Sequence, residues 1–86
     1  MYYTYLLESQ KDSGWYLGYT NDLKNRFLEH SKGKVTSTKN RLPVKLIYYE
    51  AYINRIDAKK RECFLKSGSG RKFLKKQLAN YLINNQ

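Results

Sequence analysis

Hydrophobic residues alternate in two-residue steps near the start of the chain. Tyr3, Tyr5 and Leu7 fall on one face, and Tyr2, Thr4 and Leu6 on the other, which predicts a strand. The polar stretch Glu8-Ser9-Gln10-Lys11-Asp12-Ser13-Gly14 reads as a turn, and a second alternating run covers Trp15 to Thr20, so the two strands form a hairpin. A symmetric loop pairs Leu7 with Gly14 and sets Tyr5 directly opposite Tyr16. The period then changes. Thr20-Asn21-Asp22 offers helix caps, and Leu23, Arg26, Phe27 and His30 recur at i, i+3, i+4 and i+7, predicting a helix over 21–32 that stops at Gly33. After a polar, basic loop over 34–41, Pro43 introduces a third strand over 45–52. It has Leu46, Tyr48, Glu50 and Tyr52 on one face and Ile47, Tyr49 and Ala51 on the other. Both faces are largely apolar or aromatic, which predicts a central strand covered on both sides.

A second helix is expected from 55–57 to just before Ser67-Gly68-Ser69-Gly70, with Ala58, Glu62 and Leu65 on one side. A last helix is expected over 71–83, amphipathic through Leu74, Leu78, Tyr81 and Leu82, and Asn84, Asn85 and Gln86 should fray. The fold class is therefore α+β: a small three-stranded antiparallel sheet flanked by three helices, order ββαβαα, in one domain over 1–86.

Charge narrows the partner. Seventeen Lys and Arg against seven Asp and Glu give a formal charge of +10, more than solubility needs. This points to a polyanion, nucleic acid first and an anionic membrane surface second. The single Cys63 cannot form an intramolecular disulfide, and no Cys/His cluster exists to hold zinc. With neither a signal peptide nor a long apolar run, cytoplasmic residence is the expectation.

Three placements carry candidate chemistry. Arg26 and His30 share the inward helix face with Leu23 and Phe27, where a bland amphipathic helix has only apolar groups. Arg26 snorkelling over the core and His30 as an ordinary helix-face histidine are the plainer readings. Glu62 stands in Lys59-Lys60-Arg61-Glu62, on the side of Ala58 and Leu65, which is expected to face the sheet face of Tyr5 and Tyr16, near Arg26. Either it pairs with Lys66 at i+4 on the surface, or it serves as a single carboxylate ligand for Mg2+ or Mn2+, with substrate phosphate and water completing the shell. Lys59, Lys60, Arg61, Lys66, Arg71, Lys72, Lys75 and Lys76, with Lys39 and Arg41 in the loop, form the expected phosphate-binding surface.

Taken as an ordered series, these residues resemble a known family. Tyr3-Thr4-Tyr5, Tyr16-Leu17-Gly18, Thr20-Asn21-Asp22-Leu23, Arg26, Glu29-His30, Arg61-Glu62, Leu65-Lys66 and Gly70-Arg71 are similar to the GIY-YIG nuclease superfamily over nearly the whole chain. The likeness is strongest to small stand-alone members related to the nuclease domain of the bacterial excinuclease. The resemblance implies an antiparallel sheet flanked by helices and metal-dependent hydrolysis of a nucleic-acid phosphodiester. DNA is the more expected substrate, with little intrinsic sequence specificity and a possible recruiting protein. It further implies that Tyr5 and Tyr16 are the motif tyrosines, Gly18 the motif glycine, Arg26 the catalytic arginine and Glu62 the ligand of a single Mg2+ or Mn2+. His30 matches a polar position near the site. The chain departs from the motif in reading Tyr3-Thr4 for Gly-Ile and in carrying Tyr19 where some relatives have lysine.

On chemical grounds the water-activating base is Tyr16, helped by a nearby cation, or His30, whose ordinary pKa suits the task better. Two rival functions stay open: a catalytically silent nucleic-acid-binding module, and a small basic RNA-binding or ribosome-associated protein.

Overall fold

The computed structural model describes residues 1–84. Strand β1 (Tyr2–Ser9) pairs antiparallel with β2 (Trp15–Thr20) and with β3 (Val44–Tyr52), giving the order β2-β1-β3. Helix α1 (Leu23–Ser31) links β2 to β3, and α2 (Arg55–Lys66), α3 (Gly68–Gln77) and the short α4 (Ala79–Asn84) follow. The α+β class and the ββαβαα order are as expected, with one extra C-terminal helix.

The central strand is β1, not β3. Thr4, Tyr5, Leu6 and Leu7 are four consecutive buried residues, so β1 is covered on both faces, whereas Tyr49 in β3 is 53% exposed. A register shift opposite Leu6 and Leu7 also breaks the expected alternation of β3: Leu46 pairs with Leu7 and Tyr48 with Leu6, which places them on opposite faces.

The hairpin register differs from the symmetric-loop expectation. Tyr5 pairs with Gly18 and Leu7 with Tyr16, because Ser9 N–H bonds to Gly14 O at 2.8 Å and closes a tighter turn in which Ser13 adopts a φ of 60°. Tyr5 and Tyr16 nevertheless stay on one face, diagonally placed.

The two sheet faces are covered by different helices. Leu6 and Leu17 pack with Leu65 of α2 and Leu74 of α3, and Ile47, Tyr48, Phe73 and Leu78 surround them. Ala58 has no exposed surface, and its small side chain lets α2 approach β1 until Thr4 Oγ1 donates to Ala58 O at 2.7 Å. Helix α1 covers the opposite face, over Tyr5. The expectation that α2 would lie on the Tyr5 and Tyr16 face is thus corrected. Periodicity gives the apolar side of a helix but not which face of a two-sided sheet receives it.

Local chemistry sets the helix ends. Asp22 caps α1 by accepting from Asn25 N–H at 3.1 Å, and Gly33 follows with a φ of 76°. Between α2 and α3 the break is Ser67 alone, not the four-residue stretch that was expected. Its hydroxyl donates to Phe64 O at 2.5 Å and accepts from Gly70 N–H at 3.1 Å. At Gly70 a Cβ would stand 2.0 Å from Phe64 O, so only glycine lets α3 leave α2 this closely. The expected last helix is split at Leu78, and Tyr81 of α4 then reaches back to donate to Glu8 at 2.6 Å. Asn84 closes α4; the fraying expected for Asn85 and Gln86 lies outside the described residues.

Candidate active site

Strand β1 carries Tyr5, and its ring lies across Gly18 of the edge strand β2. A Cβ at Gly18 would stand 2.3 Å from Tyr5 Cζ and 2.4 Å from its hydroxyl oxygen, so the glycine is required by the ring that passes over it. The Tyr5 hydroxyl lies 2.8 Å from His30 Nε2, and His30 Nδ1 lies 2.7 Å from Thr38 Oγ1. The Arg26 guanidinium acts on the Tyr5 hydroxyl through its charge and reaches Glu29 at 3.3 Å. A cation near the Tyr5 oxygen favours the arrangement in which the Tyr5 proton points away from it, at His30 Nε2. The imidazole is then neutral, and its Nδ1–H donates to Thr38. The result is a directed chain, Tyr5 to His30 to Thr38, running inward beneath the Arg26 charge.

Tyr16, half-exposed, completes the aromatic group: its ring centroid is 6.4 Å from that of Tyr5 and 5.1 Å from that of His30. Burial pushes the Tyr5 phenol up to about 12; Arg26 pulls it down, while Tyr16 and the Glu62 carboxylate push it up. The Glu62 charge is thus felt at Tyr5, although α2 lies on the far sheet face. Its side chain is 21% exposed and pairs with Lys66 at 3.2 Å. The surface ion pair and the inward placement therefore coexist.

Burial, and then the Arg26 charge, hold the His30 imidazole below its usual value. Unfolded chain binds the proton near pH 6.5 and folded chain does not, so stability is complete above about 6.5 and declines as pH falls below it. The loss should approach about 1.4 kcal/mol per pH unit at most. Urea unfolding between pH 5 and 8 measures it. His30 is the sole histidine, so its ring signal in a proton NMR titration must stay neutral through pH 6.5 for the assignment to hold.

The basic residues divide. Lys39, Lys59, Lys60, Arg71, Lys72, Lys75 and Lys76 are exposed, with Lys59 Nζ 5.2 Å from the Tyr19 ring centroid. Arg41 pairs with Asp12 at 3.5 Å, and Lys66 with Glu62. Arg61 faces into the fold instead of toward a ligand: Glu50 binds it in a fork at 2.8 and 3.1 Å, and it lies over the rings of Phe64 and Phe73. Burial alone would raise the Glu50 carboxyl, but Arg61 and the Tyr48 and Tyr52 hydroxyls that donate to it hold it below its ordinary value.

Two residues here escaped the sequence reading. Glu50 anchors α2 to β3 through Arg61, the neighbour of Glu62, and nothing in its alternating strand marks it. Thr38 fixes the His30 ring; it is buried in the 34–41 loop, which Ser9 Oγ holds by donating to Arg41 O at 2.6 Å. The three-residue spacing of the buried pair Val35 and Thr38 was the available signal.

This series of residues also has counterparts elsewhere. The family model of the GIY-YIG catalytic domain matches residues 1–77. The chain belongs to the GIY-YIG family. It is similar to a UPF0213 protein of Streptococcus pneumoniae, 42% identical over 65 residues that make up 74% of this chain and 65% of that one. A UPF0213 protein of Pediococcus acidilactici is 42% identical over 77 residues, 86% of this chain and 74% of that one. The chain thus spans just under two thirds of the length of the first of these. The solution NMR structure of the UPF0213 protein BH0048 from Bacillus halodurans has 36% identity and a TM-score of 0.54, covering 94% of this chain and 85% of that one. The GIY-YIG family is of nuclease type, and nucleic acid is its substrate class.

A GIY-YIG site implies a metal, and the donor set can be tested for it. Among the described residues no three of His, Cys, Asp and Glu gather, so a protein cage is absent there. Glu62 is a single half-buried carboxylate on the α2 side of the sheet, within electrostatic range of Tyr5. That donor set suits Mg2+ or Mn2+, hard ions that keep several waters and bind through one carboxylate plus phosphate oxygens.

Proposed function

We propose that this domain is a divalent-metal-dependent endonuclease that hydrolyses phosphodiester bonds in nucleic acid. DNA is its preferred substrate, and it has little sequence specificity of its own. One observation carries the reading: Tyr5, Tyr16 and His30 meet on one sheet face, with the Tyr5 hydroxyl 2.8 Å from His30 Nε2 and the Tyr16 ring 5.1 Å from that of His30, while the charges of Arg26 and Glu62 both act on Tyr5.

In this reading Arg26 binds the non-bridging phosphate oxygens with its planar fork and stabilises charge on the pentavalent phosphorus. Glu62 would hold a Mg2+ or Mn2+ ion, which when bound would supply polarisation of the phosphate and charge neutralisation for the leaving group. Tyr16 orients the attacking water and takes its proton. The water oxygen bonds to phosphorus, the ester P–O bond breaks, and the leaving oxygen takes a proton from solvent water while Tyr16 returns its own to solvent. Such a role for a phenol calls for a cation close to its oxygen in the substrate complex. Tyr5, up at about 12, stays protonated and donates. His30 has no exposed surface, and both its ring nitrogens are engaged. It therefore positions Tyr5 and does not itself meet the water.

The deciding assay is divalent-dependent nicking by purified protein, with labelled duplex, flap, nicked and single-stranded DNA and RNA as substrates. Cleavage that requires Mg2+ or Mn2+ supports the reading. Binding without cleavage under all metals favours the silent module, whose supporting observation is the Glu62–Lys66 pair at 3.2 Å.

Binding to duplex should weaken steeply with salt, log K falling against log[salt] by about 0.9 per phosphate neutralised. Replacing Lys72 and Lys76 together by Ala should lower that slope and weaken all sequences equally. Filter binding from low to moderate salt measures both, and a flat titration removes the argument from charge.

A further inference from the structure

Trp15 is the sole tryptophan of the chain. It packs against the Leu6, Leu17, Leu65 and Leu74 core on one side. On the other it lines an open cleft of about 380 Å3 with Glu8, Gly14, Arg71, Lys75 and Tyr81. That volume is at the lower end of small-ligand sites.

Charge is divided across this cleft. Glu8, half-buried, accepts from Trp15 Nε1 at 3.1 Å and from the Tyr81 hydroxyl at 2.6 Å. A phosphate is repelled at that inner end. Arg71 and Lys75, one turn apart on α3, are exposed at the outer end and attract one. An aromatic wall, an inner carboxylate acceptor and an outer pair of cations together match a nucleotide. Its base lies on the indole with an N–H toward Glu8, and its phosphate lies between the cations.

Position ties the cleft to the candidate active site. Trp15 is three residues before Gly18 on the edge strand β2, about 10 Å along it. That is roughly three nucleotides of a stacked single strand. The Trp15 side chain lies on the opposite sheet face, so a nucleic-acid strand held in the cleft reaches the site around the β2 edge. A base inside a duplex is stacked on both sides and paired at its edge, so it cannot enter without being extruded.

We propose that the Trp15 cleft binds one unpaired nucleotide of the substrate strand, directing the domain to places where single strand joins duplex. The directing half rests on the nuclease reading; the binding half does not.

The test therefore begins without catalysis. In a chelator, Trp15 emission is excited at its red edge, where tyrosine does not absorb. A short thymidine oligonucleotide and a blunt duplex of equal length are titrated in turn, and binding is followed in parallel by anisotropy of labelled DNA. The oligonucleotide should quench Trp15 saturably, and the duplex should bind without quenching. Trp15→Leu, which keeps an apolar side chain toward the core, should weaken oligonucleotide binding about 5- to 150-fold, the range for losing one base–aromatic stack. Duplex binding should be unchanged. Arg71→Ala with Lys75→Ala should weaken the oligonucleotide more than the duplex, whereas the Lys72 and Lys76 pair weakens both alike.

Equal quenching by both ligands, or by neither while both bind, overturns the proposal. If Trp15→Leu fails to fold, the wild-type titration still decides. With metal added, faster cutting of flapped than of blunt duplex supports the directing half. Quenching without any cleavage leaves the cleft standing and removes the nuclease reading. Cleavage of both substrates alike without quenching does the reverse.

Discussion

Glu62→Gln is expected to lower metal-dependent cleavage by about 10³ or more while nucleic-acid binding persists or tightens. Losing the ion's several kcal/mol of polarisation is a factor of that size, at about 1.4 kcal/mol per tenfold. The substitution keeps volume and removes one negative charge from a strongly basic protein, so the phosphate-binding surface loses nothing. Stability should change little. The Glu62–Lys66 pair spans one helical turn with side chains 21% and 56% exposed, a setting worth about 0.3 to 0.5 kcal/mol. At this chain length that moves the melting temperature by no more than about 4 °C. Lys66→Ala is the matched control: it breaks the same pair, leaves the carboxylate, and should cut at close to the wild-type rate. Cleavage, binding and thermal melting on the same preparations separate the roles. A Glu62→Gln protein that cuts normally reduces Glu62 to the partner of Lys66.

The candidate site was more legible in the sequence than the packing that assembles it. Helix α1 was readable because three independent signals agree: the Asp22 cap, the spacing of Leu23, Arg26, Phe27 and His30, and Gly33. The same spacing brought Arg26 and His30 to the Tyr5 face without any knowledge of the sheet. Strand order was not readable, because β1 and β3 both look apolar on both faces, and only the partners they acquire decide which is central. The hairpin register depended on Ser13 entering the left-handed region, which shortens the turn and exchanges Tyr16 for Gly18 opposite Tyr5. Arg61 looked like one cation among many because the Glu50 that binds it is eleven residues away on another element. Thr38 was hidden for the same reason. Its importance comes from a hydrogen bond to a residue eight positions earlier, across a loop whose one short spacing, Val35 to Thr38, is too brief to establish a period.

Arg26→Ala should lower cleavage by roughly 10² to 10³, the usual scale for losing one preorganised stabiliser of transition-state charge. The fold should survive. Its pair with Glu29, at 3.3 Å with side chains 36% and 41% exposed, contributes only about a few tenths of a kcal/mol. The guanidinium also acts inward, and this gives a second signature independent of cleavage. Its charge helps hold the His30 imidazole low and pulls the Tyr5 phenol down. Removing it lets His30 rise toward its ordinary value of about 6.5, where folded and unfolded chains bind the proton alike. The loss of stability on acidification should therefore shrink in Arg26→Ala, even though the neutral-pH stability hardly moves. Arg26→Lys restores the charge without the planar fork. It should restore the wild-type acid dependence of stability while recovering only part of the cleavage rate. An Arg26→Ala protein that melts early, cuts normally and keeps the wild-type acid profile would show that the side chain does no more than cover Phe27.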